Sequence, residues 1–452
     1  MKIAYIATGA AGMLCGTCIH DNALAAALQE LGHEVALVPT YTPIRTDEES
    51  VSLHRVFLGG LNVYLQEKIG LFRHTPEFID NLFNSTALLN WISKFSASTN
   101  ARDLGALTVS VLRGEAGKQK KEVHKLIKWL KEEYEPDIVH LNHTLLLGFA
   151  REIKRQLGVP IICGAQGEDL FLDNLIEPYQ SQAKSLLRER IQDVDGLITT
   201  SDAYSDFMSA YLELERERIH KVHLGIKLEG HGVGTLKFKQ GRTLIGYFAR
   251  ICPEKGFHLL VEAFHQLWQK YGSERIQLKA AGYLGKKDEP FFRDLEAKTR
   301  AWGMAEAVEY IGEVDRLEKI AFLSSIDIFS VPTVYAEPKG LSILEALANG
   351  VPVVQPGHGT FPEVIARTRG GLLFEPQSAA ALAETLEVLL NDVRLREKLG
   401  AAGKSVVHRD FGDRNMAAAT LRVYEMYLGK DGADHESFIH RKGAKNAKGA
   451  AL

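Results

Sequence analysis

Short apolar runs alternate with helical apolar spacings along most of the chain. Residues 2–7 predict a buried strand, Gly9–Gly12 a tight loop, and the spacing of Leu24, Ala27, Leu28 and Leu31 a helix over His20–Leu31. Gly32 ends this helix, and Glu34–Pro39 predicts a second strand. A strand, a glycine loop, a helix and a second strand in this order are typical of the start of a doubly wound parallel sheet.

The same alternation predicts ten further strands in two sets. The first set is Asp137–Leu141, Val159–Cys163, Gly196–Thr200 and His220–His223. The second set is Thr243–Ala249, Arg275–Ala281, Ala307–Ile311, Ile326–Val331, Val351–Gln355 and Gly371–Phe374. Residues 225–242 lie between the sets and hold five glycines with few apolar residues, which indicates a linker. We therefore expect an α/β protein with two Rossmann-like, doubly wound domains that face a cleft.

A stretch of about residues 50–131 interrupts the first set. Its apolar residues follow helical spacing, beginning with Phe57, Leu61, Tyr64 and Leu65, so we expect a helical insertion. Such an insertion either shapes a binding pocket or covers the sheet without touching a ligand.

The predicted boundaries follow from these segments. We expect an N-terminal domain over residues 1–232 and a second domain over 233–408. A last helix over 409–428 can cross back to the first domain, and the Gly-, Ala-, Lys- and His-rich residues 429–452 predict a disordered tail.

Composition narrows the class of protein. The 452 residues exceed one ordinary core, and 45% hydrophobic with 25% charged residues is typical of a soluble globular protein. A net charge of -3 gives no reason to expect nucleic acid as a partner. No apolar run approaches the roughly 18–20 residues that cross a bilayer, and four cysteines are too few for a disulfide framework. We therefore expect a cytoplasmic protein.

One candidate binding motif follows the predicted strand that ends near Val331. A loop with Glu337 and Gly340 precedes a helix that begins near Leu341, so the free N–H groups of Gly340, Leu341, Ser342 and Ile343 predict an anion site suited to phosphate. Glu345, in the early helix, can reach a hydroxyl pair such as a ribose diol. Alternatively, Glu337 and Glu345 are ordinary acids near a helix start.

A second motif, Arg250-Ile-Cys-Pro-Glu-Lys255-Gly256, follows the first strand of the second set. Arg250 and Lys255 can neutralise a diphosphate, or they are surface charges, for example paired with Glu254. Both motifs fall at carboxyl ends of strands, where doubly wound folds bind ligands.

These motifs, followed by Gly350-Val-Pro-Val-Val354 and joined by Ala281-Gly-Tyr283, Gly312-Glu-Val314 and Pro362-Glu-Val364, resemble the retaining family-four glycosyltransferases of the GT-B fold. The resemblance covers nearly all of the second half. Looser matches in the first half include Gly32-His-Glu-Val35 and Pro136-Asp-Ile-Val-His140.

The resemblance implies that a nucleotide-diphosphate sugar is the co-substrate, that the second domain binds it and that the first binds the acceptor. Arg250 and Lys255 would bind the diphosphate, Glu345 the ribose and Glu337 the sugar, with no metal and no other cofactor. Retention in this family is usually explained by attack from the leaving-group side, with the leaving phosphate taking the acceptor proton.

The sequence departs from the family at two places. Lys339 stands where an aromatic residue is common, next to Gly340. The family's second histidine, which touches the donor sugar, has no counterpart at its usual spacing after His140, where Asn142 stands, and His143 follows one residue later. Either Asn142 or His143 serves that role, or both only cap a strand end.

Candidate acceptor or phosphate contacts come from loops of the first half. Gly12 and Gly16 allow close backbone approach, and His140, Gln166 and Glu168 follow or end predicted strands. The alternative for Gln166 and Glu168 is a helix-capping turn.

Cys15 and Cys18 lie at a helix start, where a thiolate is stabilised. We favour small cleft-lining residues over a redox or metal role, because further zinc ligands are lacking.

The predicted function is therefore transfer of a hexose-type sugar to a sugar, glycan or lipid-linked acceptor. Alternatives are a non-catalytic nucleotide-sugar-binding protein and, less favoured because the G-x-G-x-x-G spacing is absent, an NAD(P)-dependent oxidoreductase. The basic segment Lys118–Glu133 permits peripheral contact with the inner face of a membrane, although a solvated helix face explains it better.

Overall fold

The computed structural model describes residues 1–10, 13–59, 101–233 and 241–429, with no side chains described for residues 101–103. Gly12, the greater part of the predicted insertion and the predicted tail after Gly429 lie outside the described residues.

The first sheet has six parallel strands in the order β2-β1-β3-β4-β5-β6. They are β1 (Lys2–Thr8), β2 (Glu34–Thr40), β3 (Ile138–Leu141), β4 (Ile161–Gly164), β5 (Gly196–Thr199) and β6 (Ile219–Lys221). The middle five residues of β1 are completely buried, because helices cover both faces of the sheet. The strand order reverses between β1 and β3, and a doubly wound sheet binds its ligands at that point.

The second sheet repeats this architecture in the order β12-β11-β10-β7-β8-β9. Its strands are β7 (Thr243–Phe248), β8 (Ile276–Ala281), β9 (Val308–Tyr310), β10 (Ile328–Phe329), β11 (Val353–Pro356) and β12 (Gly371–Phe374). All twelve predicted strands form, with ends within two residues of the prediction, and the predicted fold class is confirmed.

Fifteen α-helices flank the two sheets in the described part of the chain. Those before the second sheet are α1 (Gly16–Glu30), α2 (Ala101–Leu112), α3 (Lys120–Trp129), α4 (Ala150–Leu157), α5 (Asp169–Asp173), α6 (Tyr179–Arg190) and α7 (Asp202–Leu212). Those that follow are α8 (Phe257–Tyr271), α9 (Glu289–Ala301), α10 (Arg316–Ser325), α11 (Leu341–Ala348), α12 (Phe361–Thr368), α13 (Ala379–Asn391), α14 (Val393–Asp410) and α15 (Asp413–Tyr427). No helix in the described ranges combines the length and the apolar character that a bilayer-spanning segment needs.

The insertion is only partly as predicted. Its described C-terminal part is helical, since α2 and α3 occupy it. The prediction of helix at Phe57 is wrong, because residues 51–57 run alongside β2 and form parallel bridges at Ser52 and Phe57. The Leu53 and Phe57 N–H groups donate to backbone carbonyls of β2, so this segment satisfies its polar groups against the sheet edge.

The first helix also differs from the prediction. It begins at Gly16, four residues before the predicted start at His20, so Cys15 is its N-cap and Cys18 lies in its first turn. Apolar periodicity could not reveal this start, because residues 16–19 are largely small or polar.

Helix α15 packs against α1 of the first domain. Its Tyr424 is completely buried, and the Tyr424 hydroxyl is hydrogen-bonded to His140 Nδ1 at 2.5 Å. A single core cluster runs from the second sheet through α15 to β1 and α1. The last helix therefore joins the far end of the described chain to its beginning.

Candidate active site

The two sheets face each other across a cleft of about 400 Å³. One wall comes from the loop after β1, the start of α1 and the residues after β4. The other comes from the segments that follow β7, β8, β9 and β10 and from the start of α11. These are carboxyl ends of parallel strands and their neighbours, which is where the sequence predicted the site.

Two cations that are five residues apart in the sequence follow β7. Arg250 lines the cleft, and its guanidinium has no hydrogen-bond or carboxylate partner among the described residues. Lys255 ends a short turn that Gly256 closes with a φ of +71°. A Cβ at Gly256 would lie 1.8 Å from the carbonyl oxygen of Pro332, so this close approach requires glycine.

Lys255, Tyr335 and Glu337 form a hydrogen-bonded triangle in the cleft. The Lys255 ammonium donates to Glu337 Oε2 at 2.5 Å and to the Tyr335 hydroxyl at 2.6 Å, and that hydroxyl donates to the same carboxylate oxygen at 2.7 Å. Burial by itself would raise the pKa of Glu337, but Lys255 and Tyr335 outweigh it and lower the pKa to about 2. Glu337 is therefore an ionised hydrogen-bond acceptor and not a general acid.

The start of α11 is available to an anion. Gly340 is its N-cap at a φ of +72°, no side chain caps the first turn, and Gly340, Leu341 and Ser342 line the cleft. The side chain of Ile343 is completely buried, so only its backbone could serve the predicted phosphate site. The free N–H groups and the positive end of the helix favour a negative ligand here.

Glu345 lies one turn further along α11, at the cleft, with its carboxylate nearly inaccessible to solvent. Its Oε1 accepts a hydrogen bond of 2.5 Å from the Lys319 ammonium. Burial raises the pKa of Glu345, and Lys319 counteracts only part of that increase.

The first domain contributes Gly16, Thr17 and Gln166 to the opposite wall. Lys339 spans the cleft, because its ammonium donates to Thr17 Oγ1 at 2.6 Å and to Gln166 Oε1 at 3.2 Å. At this position the family resemblance led us to expect an aromatic side chain. The lysine instead connects the two walls of the cleft by hydrogen bonds.

A completely buried carboxylate, Asp21, holds Gln166 in place. Asp21 accepts hydrogen bonds from Gln166 Nε2 at 2.9 Å, from Asn142 Nδ2 at 2.7 Å and from the Tyr5 hydroxyl at 2.7 Å. Burial would raise the pKa of Asp21, but these bonds and His20 outweigh it and lower the pKa. The carboxylate thus stays charged beneath the floor of the cleft.

Apart from Ile343, four of the described residues that were predicted for the site do not line the cleft. His140 is buried against Tyr424, with a pKa that burial lowers to about 3. Glu168 accepts hydrogen bonds from the backbone and hydroxyl of Thr144 and from the Gln166 N–H. Glu168 is the N-cap residue of α5, but its side chain makes no capping hydrogen bond to that helix, so neither the acceptor contact nor the helix-capping turn is decided.

The other two, Asn142 and His143, lie behind the cleft wall. His143 Nε2 is hydrogen-bonded to Thr8 Oγ1 at 2.7 Å, and burial lowers the pKa of His143. Asn142 Oδ1 and His143 Nδ1 are buried atoms without a hydrogen-bond partner among the described residues. The choice between them as a sugar contact therefore stays open.

Cys15 lines the cleft and Cys18 is buried, and both thiols are free. A hydrogen bond between them raises the pKa of Cys18 and lowers that of Cys15. Within the described ranges no group of three His, Cys, Asp or Glu residues could hold a metal ion.

Sequence reasoning missed Tyr335, Asp21, Lys319 and Asp47, whose Oδ2 accepts a second hydrogen bond of 2.5 Å from the Lys319 ammonium. Tyr335 stands two residues before Glu337, so strand-end position could have indicated it. The other three are charged residues in segments that resemble solvated helix or loop, and nothing in their spacing shows that they are buried.

Comparison with known proteins identifies the family of this chain. The sequence model of the family described as "Glycosyl transferases group 1" matches residues 234–406, and that described as "Glycosyltransferase Family 4" matches residues 105–229. The chain belongs to this glycosyltransferase family. The two matches leave only residues 230–233 between them uncovered, so they include both walls of the cleft from β3 onward.

Characterised relatives are distant but extend over both domains. An alpha-monoglucosyldiacylglycerol synthase of Streptococcus pneumoniae is 27% identical over 320 residues, which are 66% of this chain and 68% of the relative. A D-inositol 3-phosphate glycosyltransferase of an Arthrobacter species is 26% identical over 391 residues, which are 81% of this chain and 90% of the relative.

Solved structures show the same fold. A sucrose-phosphate synthase from Thermosynechococcus elongatus superposes with a TM-score of 0.68 at 18% identity, covering 95% of this chain and all of that one. The Anabaena protein Alr3699/HepE, solved in complex with UDP, gives a TM-score of 0.66 at 15% identity and covers 94% of this chain and 100% of its own. The predicted glycosyltransferase class and the GT-B fold are thereby confirmed.

Proposed function

We propose that this glycosyltransferase transfers a hexose-type sugar from a nucleotide-diphosphate sugar to a sugar, glycan or lipid-linked acceptor, with retention of configuration and without a metal ion. The observation that carries the proposal is the convergence of Arg250, Lys255 and the uncapped start of α11 on one cleft wall. Two cations and a helix N-terminus supply the positive charge that a leaving diphosphate requires.

The roles of the two acids follow from their surroundings. Glu337 is ionised and held by Lys255 and Tyr335, so it can accept hydrogen bonds from hydroxyls of the donor sugar. Glu345, deeper along α11, can accept hydrogen bonds from the ribose. A diphosphate between Arg250 and α11 places the sugar towards Glu337.

Retention is supported by the partners of the acids. Among the described residues the carboxylates that line the cleft are Glu313, Glu337 and Glu345, and each is paired with a cation. All three belong to the donor wall, so none faces the sugar from the acceptor side as a nucleophile would. This favours attack from the leaving-group side, in which the leaving phosphate accepts the acceptor proton.

Independence from metal is supported by the charges of the site itself. Arg250 and Lys255 stand where other sugar-nucleotide enzymes use magnesium to neutralise the diphosphate. Turnover that survives excess EDTA is the expected result.

The proposed acceptor class follows the names of two relatives. One relative is named for a glucosylated diacylglycerol and another for inositol 3-phosphate. Peripheral membrane contact by α3 would depend on charge alone, because Val123, Leu126 and Ile127 on its apolar face are buried in the core.

The test is an incubation of the protein with UDP-, GDP- and ADP-sugars and mixed acceptors, read by release of free nucleotide and by NMR of the product anomer. We expect release from one donor type and an anomer that matches the donor. An inverted product would contradict retention. Nucleotide binding with no turnover on any acceptor would favour the non-catalytic alternative.

A further inference from the structure

The residues that follow β2 reach across the cleft to the donor wall. Three side chains of this segment make ion pairs with the other domain: Arg45 with Glu313 at 3.2 Å, Asp47 with Lys319 at 2.5 Å, and Glu48 with Arg316 at 3.3 Å. The residues on the donor wall lie at the start of α10 and just before it. We call Arg45–Glu48 the clasp segment.

The three pairs differ in burial. The side chains of Asp47 and Lys319 are 3% and 2% exposed and those of Glu48 and Arg316 are 4% and 17% exposed, whereas that of Arg45 is 51% exposed. Removing one partner of a buried ion pair strongly destabilises the folded protein, whereas an exposed ion pair contributes little to its stability. Asp47–Lys319, the most buried of the three pairs, is therefore the main contact that fixes the clasp segment to the donor wall, and Glu48–Arg316 adds to it.

Lys319 binds a second carboxylate with the same ammonium. It donates to Glu345 Oε1 and to Asp47 Oδ2, both at 2.5 Å, and so links the acid of the donor wall to a loop of the other domain. Asp47 Oδ1 is buried without a hydrogen-bond partner among the described residues. The second oxygen of Glu345 is not used in this contact, and Glu345 lines the cleft.

The two segments that carry Asp47 and Lys319 are each fixed to their own domain. Asn22 of α1, itself completely buried, donates to the carbonyl oxygen of Glu49 and accepts from the Val51 N–H, which fixes the clasp segment to the first domain. Asp315 and Glu318 form a capping box that fixes the first turn of α10, and Lys319 is the next residue. The ammonium therefore has little freedom to leave Glu345.

We propose that Lys319 is a positioning residue that orients the Glu345 carboxylate towards the donor ribose, and that Asp47 makes this orientation depend on contact between the two domains. The inference rests on the proposed function. The inference extends the proposed function, because the ribose subsite is then built by both domains and is complete only when the cleft is closed.

The test compares ribose and deoxyribose nucleotides. The nucleoside diphosphate that binds tightest among UDP, GDP and ADP is titrated calorimetrically, together with its 2′-deoxy form, into the full chain. If Glu345 accepts from the ribose, wild type should prefer the ribonucleotide by about tenfold or more, which is the range for a hydrogen bond to a charged group. Lys319→Met should reduce this ratio to near one, Asp47→Asn should reduce it in part, and Lys319→Arg should restore much of it.

The control removes a different ion pair between the domains. Arg414 on α15 contacts Glu30 on α1 at 2.8 Å, and both side chains are exposed, so Arg414→Met should leave the ratio unchanged. If Lys319 had only a structural role, its replacement would lower the affinities for the ribonucleotide and the deoxyribonucleotide by the same factor. If Lys319→Met does not fold, Asp47→Asn and Lys319→Arg carry the comparison.

The outcomes separate the two proposals. A wild-type chain that binds no nucleoside diphosphate contradicts the proposed function. A wild-type ribose preference that persists in folded Lys319→Met, or in Asp47→Asn where Lys319→Met does not fold, overturns only the role of Lys319.

Discussion

Lys255 and Glu337 are 82 residues apart in the sequence, yet the ammonium of one donates to the carboxylate of the other at 2.5 Å. They meet because β7 and β10 are neighbours in the sheet and the segments after both strands turn into the same cleft. The pair fixes the charge of both groups, since Lys255 keeps Glu337 ionised and Glu337 raises the pKa of Lys255 against the effect of burial. An acid held in this way can orient hydroxyl groups but cannot supply a proton.

This pair predicts a pH dependence of stability. The pKa of Glu337 is about 2 in the folded protein, below its ordinary value, so the ionised carboxylate stabilises the fold above about pH 4.5. That contribution is lost as the pH falls from 4.5 towards 2. Between pH 5 and pH 3, wild type should lose about 1–2 kcal/mol more unfolding free energy than Glu337→Gln, as measured by urea unfolding. Equal losses in the two proteins would contradict this assignment.

Arg250 predicts a loss of activity without a loss of stability. Its guanidinium lines the cleft and has no partner among the described residues, so Arg250→Gln should leave the unfolding temperature nearly unchanged. Removing a cation from a developing diphosphate charge should lower kcat/KM by roughly 100-fold, as other losses of transition-state charge stabilisation do. Arg293→Gln is the matched control, because that exposed side chain makes only a loose pair with Glu289 at 3.9 Å. A similar decline in both variants would show that general surface charge is responsible.

The backbone of Glu337 occupies the space that a side chain at position 359 would need, so Gly359 is expected to be required for the placement of Glu337. The φ of Gly359 is +61°, and a Cβ there would lie 2.5 Å from both the backbone nitrogen and the carbonyl oxygen of Glu337. Gly359→Ala should therefore displace Glu337 and weaken donor binding. Gly158 has a φ of +67° with open space around it, so Gly158→Ala should show only the backbone strain of about 1–2 kcal/mol. Donor titrations and thermal unfolding of both variants distinguish displacement from strain, and unchanged donor affinity in Gly359→Ala would refute the prediction.

The buried hydrogen bond between Tyr424 and His140 predicts that His140 has a structural role. Tyr424→Phe leaves His140 Nδ1 buried without its hydrogen-bond partner, so the free energy of unfolding should fall by about 1–3 kcal/mol. Donor and acceptor affinities should not change, because His140 does not line the cleft. A loss of acceptor affinity larger than the loss in Tyr427→Phe, which removes the nearby bond to His220, would restore His140 as an acceptor contact.

The sequence predicted the fold because its strands are short apolar runs buried on both faces that alternate with helical apolar spacings. It predicted Arg250, Lys255, Glu337 and Glu345 because each follows a strand end at the binding edge of a sheet. His140 shows the limit of this reasoning. A residue within a strand is directed to one face or the other, and the face that His140 shares with Tyr424 is set by the packing of α15.

Lys319 could not have been predicted for a different reason. It lies 272 residues from Asp47, and a lysine near the start of a helix usually faces solvent. Only the packing of the two domains reveals that its environment is two carboxylates and not water. Residues 51–57 were mispredicted because their contacts with β2 are isolated bridges, too short to produce an alternating pattern.

The return of α15 to the first domain has a consequence for dissecting the protein. Because Tyr424 and its neighbours complete the core around β1 and α1, a fragment that stops at the linker would expose apolar surface on those elements. A fragment made to study the amino-terminal half therefore has to include residues 413–427. Because Tyr427 packs against Gly196 at the start of β5, three strands away from β1 in the sheet, these residues need a linker to precede β1.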